Sequence, residues 1–137
     1  MRRLSLLVLT FLLAACTSSA PATFPVTFGL YGGVAGHSET LVIQDTGQVD
    51  VRTARTTSTC ALTADARQQL TTALQGTRWT NRSPQVPAGT SDYLQHIVKD
   101  SAGRYLSDDP ENQNLRTFQA ALLTDVTGED PPHRLCT

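Results

Sequence analysis

The chain has 137 residues, with 11 Lys plus Arg against 12 Asp plus Glu, and only 6% of it is aromatic. That length fits one domain with enough chain to bury a modest core. The near-even charge argues against nucleic acid as a partner, since nucleic acid demands a basic face, and against electrostatic adhesion to anionic lipid.

Met1-Arg2-Arg3 is a short positive segment, and residues 4–15 are almost wholly apolar. The run is shorter than the roughly 20 residues a spanning helix needs. Its length suits the core of a secretory signal. It ends Leu13-Ala14-Ala15-Cys16 and resembles the lipobox of bacterial lipoproteins, in which small residues precede a cysteine that receives lipid before cleavage. Residues 1–15 then read as a signal peptide, with Cys16 as the lipidated start of the mature chain. An ordinary secretory signal with an incidental cysteine is the alternative. Loss of Arg2 and Arg3 takes the 11 basic residues to 9 against 12 acids, a net charge of about −3. The expected location is the bacterial cell envelope, at the outer membrane or cell surface. The membrane contact is the lipid on Cys16, at about 0.8 kcal/mol per buried methylene.

Residues 16–23 continue in Ser, Thr, Ala and Pro without charge and read as a flexible tether. Residues 24–137 read as a single domain. Within it, 24–31 alternates, with Phe24, Val26, Phe28 and Leu30 on one face, which predicts a half-buried strand. Pro25 places it at an edge or at the start of a strand. The run Tyr31-Gly32-Gly33-Val34-Ala35-Gly36-His37 follows. It has more glycine than a tight hairpin needs, so Gly32, Gly33, Val34, Ala35, Gly36 and His37 form the candidate protein-binding loop. Residues 39–44 predict a second strand, Asp45-Thr46-Gly47 a turn, and 48–53 a third strand. Connections this short make an antiparallel meander.

Residues 54–59 are polar and read as loop. Thr63 is a candidate N-cap, with Asp65 in the first turn. Leu62, Ala66, Leu70, Ala73 and Leu74 repeat at helical spacing up to Gly76. Trp79 is expected to pack under that helix. Residues 81–91 carry Pro84, Pro87 and Gly89, a loop. Residues 92–100 predict a fourth strand, whose Tyr93, Leu94, Ile97 and Val98 suggest cover on both sides. Residues 104–107 predict a fifth. Asp108-Asp109-Pro110-Glu111 predicts a capped helix start, and Leu115, Phe118, Leu122 and Val126 its apolar stripe, ending at Gly128. The expected class is α+β, a single antiparallel sheet of about five strands with two helices on one face, in the order β-β-β-α-β-β-α.

Lipidation of Cys16 leaves Cys60 and Cys136, and an exported, oxidising setting predicts that they pair. Two free thiols are the alternative. Two lone cysteines lack the clustered spacing of a zinc site, and no histidine pair with glutamate stands at helical spacing. His37-Ser38-Glu39 invites a hydrolase reading, but neighbours in a strand point to opposite faces, so no catalytic residue and no enzyme activity is predicted. His96 and His133 read as packing or surface residues. The glycine run lacks a lysine and precedes a strand, whereas phosphate loops precede a helix N-terminus, so no cofactor is expected.

The order of these pieces resembles the emfourin-like family, which includes protein inhibitors of thermolysin-like metalloproteases. The pieces are Gly32-Gly33-Val34-Ala35-Gly36, then residues 62–74, then Asp92-Tyr93 with Gly103-Arg104, then residues 108–122. They cover most of the mature domain. The lipoprotein signal and the cysteine pair are departures from the family's pattern. The resemblance implies a secreted metalloprotease as partner. The Gly32–His37 loop would enter its cleft, Val34 would fill the apolar pocket past the cut bond, and His37 or Glu39 would reach the zinc. The bland counterpart is a hairpin whose glycines only let it bend, with Tyr31 and Val34 packed on the sheet, in a structural or accessory envelope lipoprotein.

Overall fold

The computed structural model describes residues 20–90, 92–128 and 134–137. The elements in chain order are β1 (Val26–Gly32), β2 (His37–Ile43), β3 (Gln48–Arg52), β4 (Thr57–Ala61), α1 (Ala64–Leu74), β5 (Trp79–Thr80), β6 (Leu94–Lys99) and β7 (Tyr105–Leu106). A 3-10 turn (Pro110–Asn112) then leads into α2 (Gln113–Thr127). The strands form one antiparallel sheet in the order β4-β3-β2-β1-β6-β7-β5.

The architecture is the expected α+β, but the sheet has seven strands rather than about five. β4 falls largely on the stretch read as loop. Its Thr57, Ser58 and Thr59 are exposed on an edge strand, so no apolar alternation marks them. β5 is two residues long, too short for any period to show. β1 lies at the centre of the sheet, so of the two positions that Pro25 suggested the strand start holds and the edge does not. Pro25 precedes the strand, after a cis peptide bond, where its missing N–H costs the ladder nothing.

The register sorts the faces. Val26 and Phe28 stand opposite Ile43 and Leu41, and these opposite Val49 and Val51. All six are buried, and Val98 of β6 joins them opposite Phe28. The helices cover this face. From α1 come Ala66, Leu70 and Leu74, and from α2 Leu115, Phe118, Leu122 and Leu123. The Phe28 and Phe118 rings meet edge to face with centroids 6.3 Å apart, a favoured aromatic geometry. The α1 boundary follows the sequence: the Thr63 hydroxyl accepts from the Ala66 amide at 3.2 Å. The helical start before α2 also falls where the sequence puts it, with Pro110 first and Glu111 in the first turn. Asp109 occupies the cap position of the 3-10 turn, its carbonyl accepting from the Asn112 amide at 3.0 Å, but its carboxylate bonds no turn amide and accepts from the Ser107 hydroxyl. Asp108 pairs with Arg116 at 2.9 Å. Both carboxylates are drawn to nearer donors than the helix terminus.

Gln119 is a buried polar residue whose amide Nε2 donates to the Gly29 and Ile97 carbonyls, at 3.2 and 3.1 Å. It ties α2 to the β1–β6 pair. Cys60 and Cys136 form a disulfide, as expected. The tail is bound further by the Asp125 carboxylate, which accepts from the Arg134, Leu135 and Cys136 amides.

The start of the domain is clamped at one end of the sheet. Asp100 is buried, and its carboxylate accepts from the Thr23 amide and the Arg104 guanidinium. Arg104 also donates to the Pro21 carbonyl at 2.8 Å, and its guanidinium lies 5.5 Å over the Trp79 ring. Residues 21–23, read from the sequence as part of a tether, are thus held to the domain. Trp79 stands in β5, takes part in this clamp and packs half-buried against the core to which α1 contributes.

Candidate functional site: the glycine loop and its setting

β1 runs from the clamped end to Gly32, and β2 returns from His37. Residues 33–36 make the turn, closed by the Gly36 amide donating to the Gly33 carbonyl at 3.1 Å. Backbone sterics decide where the glycines stand. Gly33 and Gly36 have φ of 72° and 64° while Val34 and Ala35 stay at negative φ, so the side-chain-bearing residues occupy the only positions that tolerate them. Gly32 is glycine for a second reason. At φ +89°, a Cβ there would lie 2.6 Å from the Tyr93 carbonyl oxygen. That carbonyl accepts from the Gly33 amide at 3.1 Å, which pins the loop to the start of β6.

Val34 stands at the tip and is 87% exposed. The bland reading placed it on the sheet, and the structure does not. Tyr31 does pack there: its ring covers Gly29 and its hydroxyl bonds Thr40 at 2.9 Å. No hydrogen bond to the Val34 or Ala35 peptide groups is made by the described residues.

His37 and Glu39 share a face of β2, with Nδ1 of the imidazole 3.0 Å from Oε1 of the carboxylate. The imidazole is 40% exposed and the carboxylate 18%. Such a pair restrains the ring through Nδ1, and the Cδ2 edge lies toward the turn, 3.7 Å from where a Cβ on Gly33 would stand. Ser38 stands on the other face, opposite Tyr31, so the three adjacent residues do not converge as a triad would. His96 lies on β6, two strands from β2, opposite Leu30 of the intervening β1. Partial desolvation, then the Arg116 charge, lowers its pKa from the ordinary histidine value. His133 and Cys16 lie outside the described residues. Among the described residues no group of three His, Cys, Asp or Glu side chains is placed to hold a metal ion. Nor is any helix among them long and apolar enough to cross a membrane.

Sequence reasoning missed the loop's neighbours. Tyr93 and Leu94 were expected to be covered, yet they are 40% and 38% exposed, and Val86 in the preceding loop is 51% exposed. A lone valine between Pro84 and Pro87 was the available signal, since such a segment has no strand or helix to bury it. Comparison with family models, with curated proteins and with solved structures gave no match.

Proposed function

We propose that this chain is an envelope-anchored protein-binding lipoprotein that inserts the turn at residues 33–36 into a cleft of a partner protein. The observation that carries the reading is Val34: a large apolar side chain 87% exposed at the tip of a turn fixed by its own glycines and by the Tyr93 carbonyl. An apolar residue held out on a pre-organised backbone loses little conformational entropy on binding. The resemblance of the glycine run and its flanking elements to the emfourin-like family makes a secreted thermolysin-like metalloprotease the partner to test, with Val34 in its apolar pocket. His37, 40% exposed at the base of the same turn, is the residue that the resemblance would bring to the metal. Lipid on Cys16 supplies the anchor. The second reading, a non-inhibitory accessory lipoprotein of the envelope, draws on the two departures from the family's pattern. Titration of thermolysin with the purified protein separates the two. Inhibition that Val34→Asp abolishes supports the first, and folded protein without inhibition at micromolar concentration refutes it for that protease class.

A further inference from the structure

The two edges of the sheet differ. β5 is two residues long, whereas β4 runs from Thr57 to Ala61 as an exposed edge strand. Bonds at both ends of the β3–β4 pair fix which side of β4 faces inward. The Thr53 amide donates to the Thr56 carbonyl at 2.9 Å, and the Leu62 amide to the Gly47 carbonyl at 2.9 Å. Hydrogen-bonded and non-bonded pairs alternate along an antiparallel ladder. With Ser58 opposite Val51 and Cys60 opposite Val49, Ser58 and Cys60 bond β3, and Thr57, Thr59 and Ala61 turn their peptide groups outward. Ala61 is already engaged, since it exchanges both backbone bonds with Thr137, at 2.8 and 2.9 Å. This edge therefore accepts a strand, and the tail takes only its Ala61 end. Among the described residues nothing bonds the outward N–H and C=O groups of Thr57 and Thr59. Exposed edges are ordinarily guarded by lysine, proline, a bulge or an inward-pointing charge. Thr57-Ser58-Thr59 has none of these, and its register is unbroken.

We propose that β4 docks a second copy of this chain, edge to edge and antiparallel, about a two-fold axis at Ser58.

The occupant follows from the register. A strand turned about Ser58 sets Thr57 opposite Thr59 of the second copy, and each such pair exchanges both of its backbone bonds. Cross-strand threonine pairs are themselves favourable. An axis at Thr59 would set Thr57 against Ala61 of the other copy, whose peptide groups Thr137 holds. An axis at Thr57 would set Thr59 against Arg55, which lies outside the strand. The charges agree with the Ser58 axis. On β3, Arg52 stands beside Thr57 and Asp50 beside Thr59. Antiparallel pairing puts Arg52 of one copy and Asp50 of the other on the same row of the joined sheet, three strand spacings or roughly 14 Å apart. Each row thus carries opposite signs, supplied by this chain's own residues. The turn at residues 33–36 joins β1 and β2, away from this edge, so the dimer leaves it open on each copy.

The test is sedimentation equilibrium of the full chain in mild detergent, with micelles in excess over chains. So short an interface is weak, and the series should run up to about 1 mM. Wild type should pass from monomer to dimer across it. Thr59→Pro removes an outward N–H and no bond to β3, at an edge position that tolerates proline, and should weaken dimerisation at least about tenfold. Two double variants at the same exposed positions read the register. Thr57→Lys with Thr59→Lys sets lysine opposite lysine across the axis, and Thr57→Lys with Thr59→Glu sets lysine opposite glutamate. The second should dimerise at least about tenfold more tightly than the first. If Thr59→Pro does not fold, the double variants decide alone. Wild type that stays monomeric over the whole series overturns the proposal. So does a dimer that folded Thr59→Pro leaves intact, which would place the interface elsewhere, and so does equal dimerisation of the two double variants.

Discussion

Replacing Gly32 by alanine tests the geometry of the loop more sharply than any change at its tip. Alanine at φ +89° carries the left-handed penalty of about 1–2 kcal/mol. Its Cβ would also stand 2.6 Å from the Tyr93 oxygen, against an ordinary contact of at least 3.4 Å. The carbonyl must retreat by most of an ångström. Doing so strains its bond from the Gly33 amide, worth about 0.5–1.5 kcal/mol net, and parts the ends of β1 and β6. Reduced freedom of the unfolded chain returns about 0.4–1 kcal/mol, so the expected net loss is about 2 kcal/mol. Gly36→Ala is the control. Its φ is also left-handed, but nothing lies within 4 Å of the added Cβ, so only the backbone penalty less the same offset remains, about 0.5–1 kcal/mol. Urea unfolding of the two variants, followed by circular dichroism, should show Gly32→Ala the less stable by about 0.5–1.5 kcal/mol at unchanged m-value. Equal losses would mean that the Tyr93 carbonyl does not hold the loop, and the pre-organisation argument would fail with it.

Two further predictions concern the ends of the domain. Burial works to raise the Asp100 pKa, but the hydrogen bonds and charge of Arg104, with the Thr23 amide, outweigh it and leave the pKa below the ordinary carboxylate value. A depressed folded-state pKa gives stability that is present above the unfolded pKa near 4 and lost as pH falls through the folded value. Asp100→Asn should therefore cost about 2–4 kcal/mol at pH 7, and the gap to wild type should close below about pH 4; a gap independent of pH would contradict the ion pair. Removing the disulfide by Cys60→Ala with Cys136→Ala frees a closure of 76 residues and should lower stability by about 4 kcal/mol on the chain-entropy account. A loss under about 1 kcal/mol would assign the tail's anchorage to Asp125 instead.

The elements that bury apolar side chains periodically were legible in the sequence. The meander of β1 to β3 and both helices followed from the spacing of Val26, Phe28, Leu41, Ile43, Leu70 and Leu122, all of them core. β4 escaped because an edge strand made of Thr and Ser buries nothing and so leaves no pattern. The Asp108-Asp109-Pro110 run located the helical start, but a cap motif in sequence does not say which nearby donor wins each carboxylate, and Arg116 and Ser107 won. The turn at residues 33–36 was visible as glycine content, but its anchorage was not. The need for glycine at position 32 arises from the Tyr93 carbonyl, which is distant in sequence and adjacent only through the β1–β6 register. The exposure of Leu94 was likewise hidden, since an apolar residue at a strand's start looks the same whether a helix covers it or stops short.

The central claim, that the turn enters a partner's cleft, is tested most directly by titrating thermolysin with wild type and Val34→Asp side by side, with unfolding curves for both. The account predicts inhibition by wild type, its loss by at least about tenfold in the variant, and superimposable unfolding, because Val34 is 87% exposed. Wild-type protein that is folded and does not inhibit, or a variant that inhibits equally well, would contradict it.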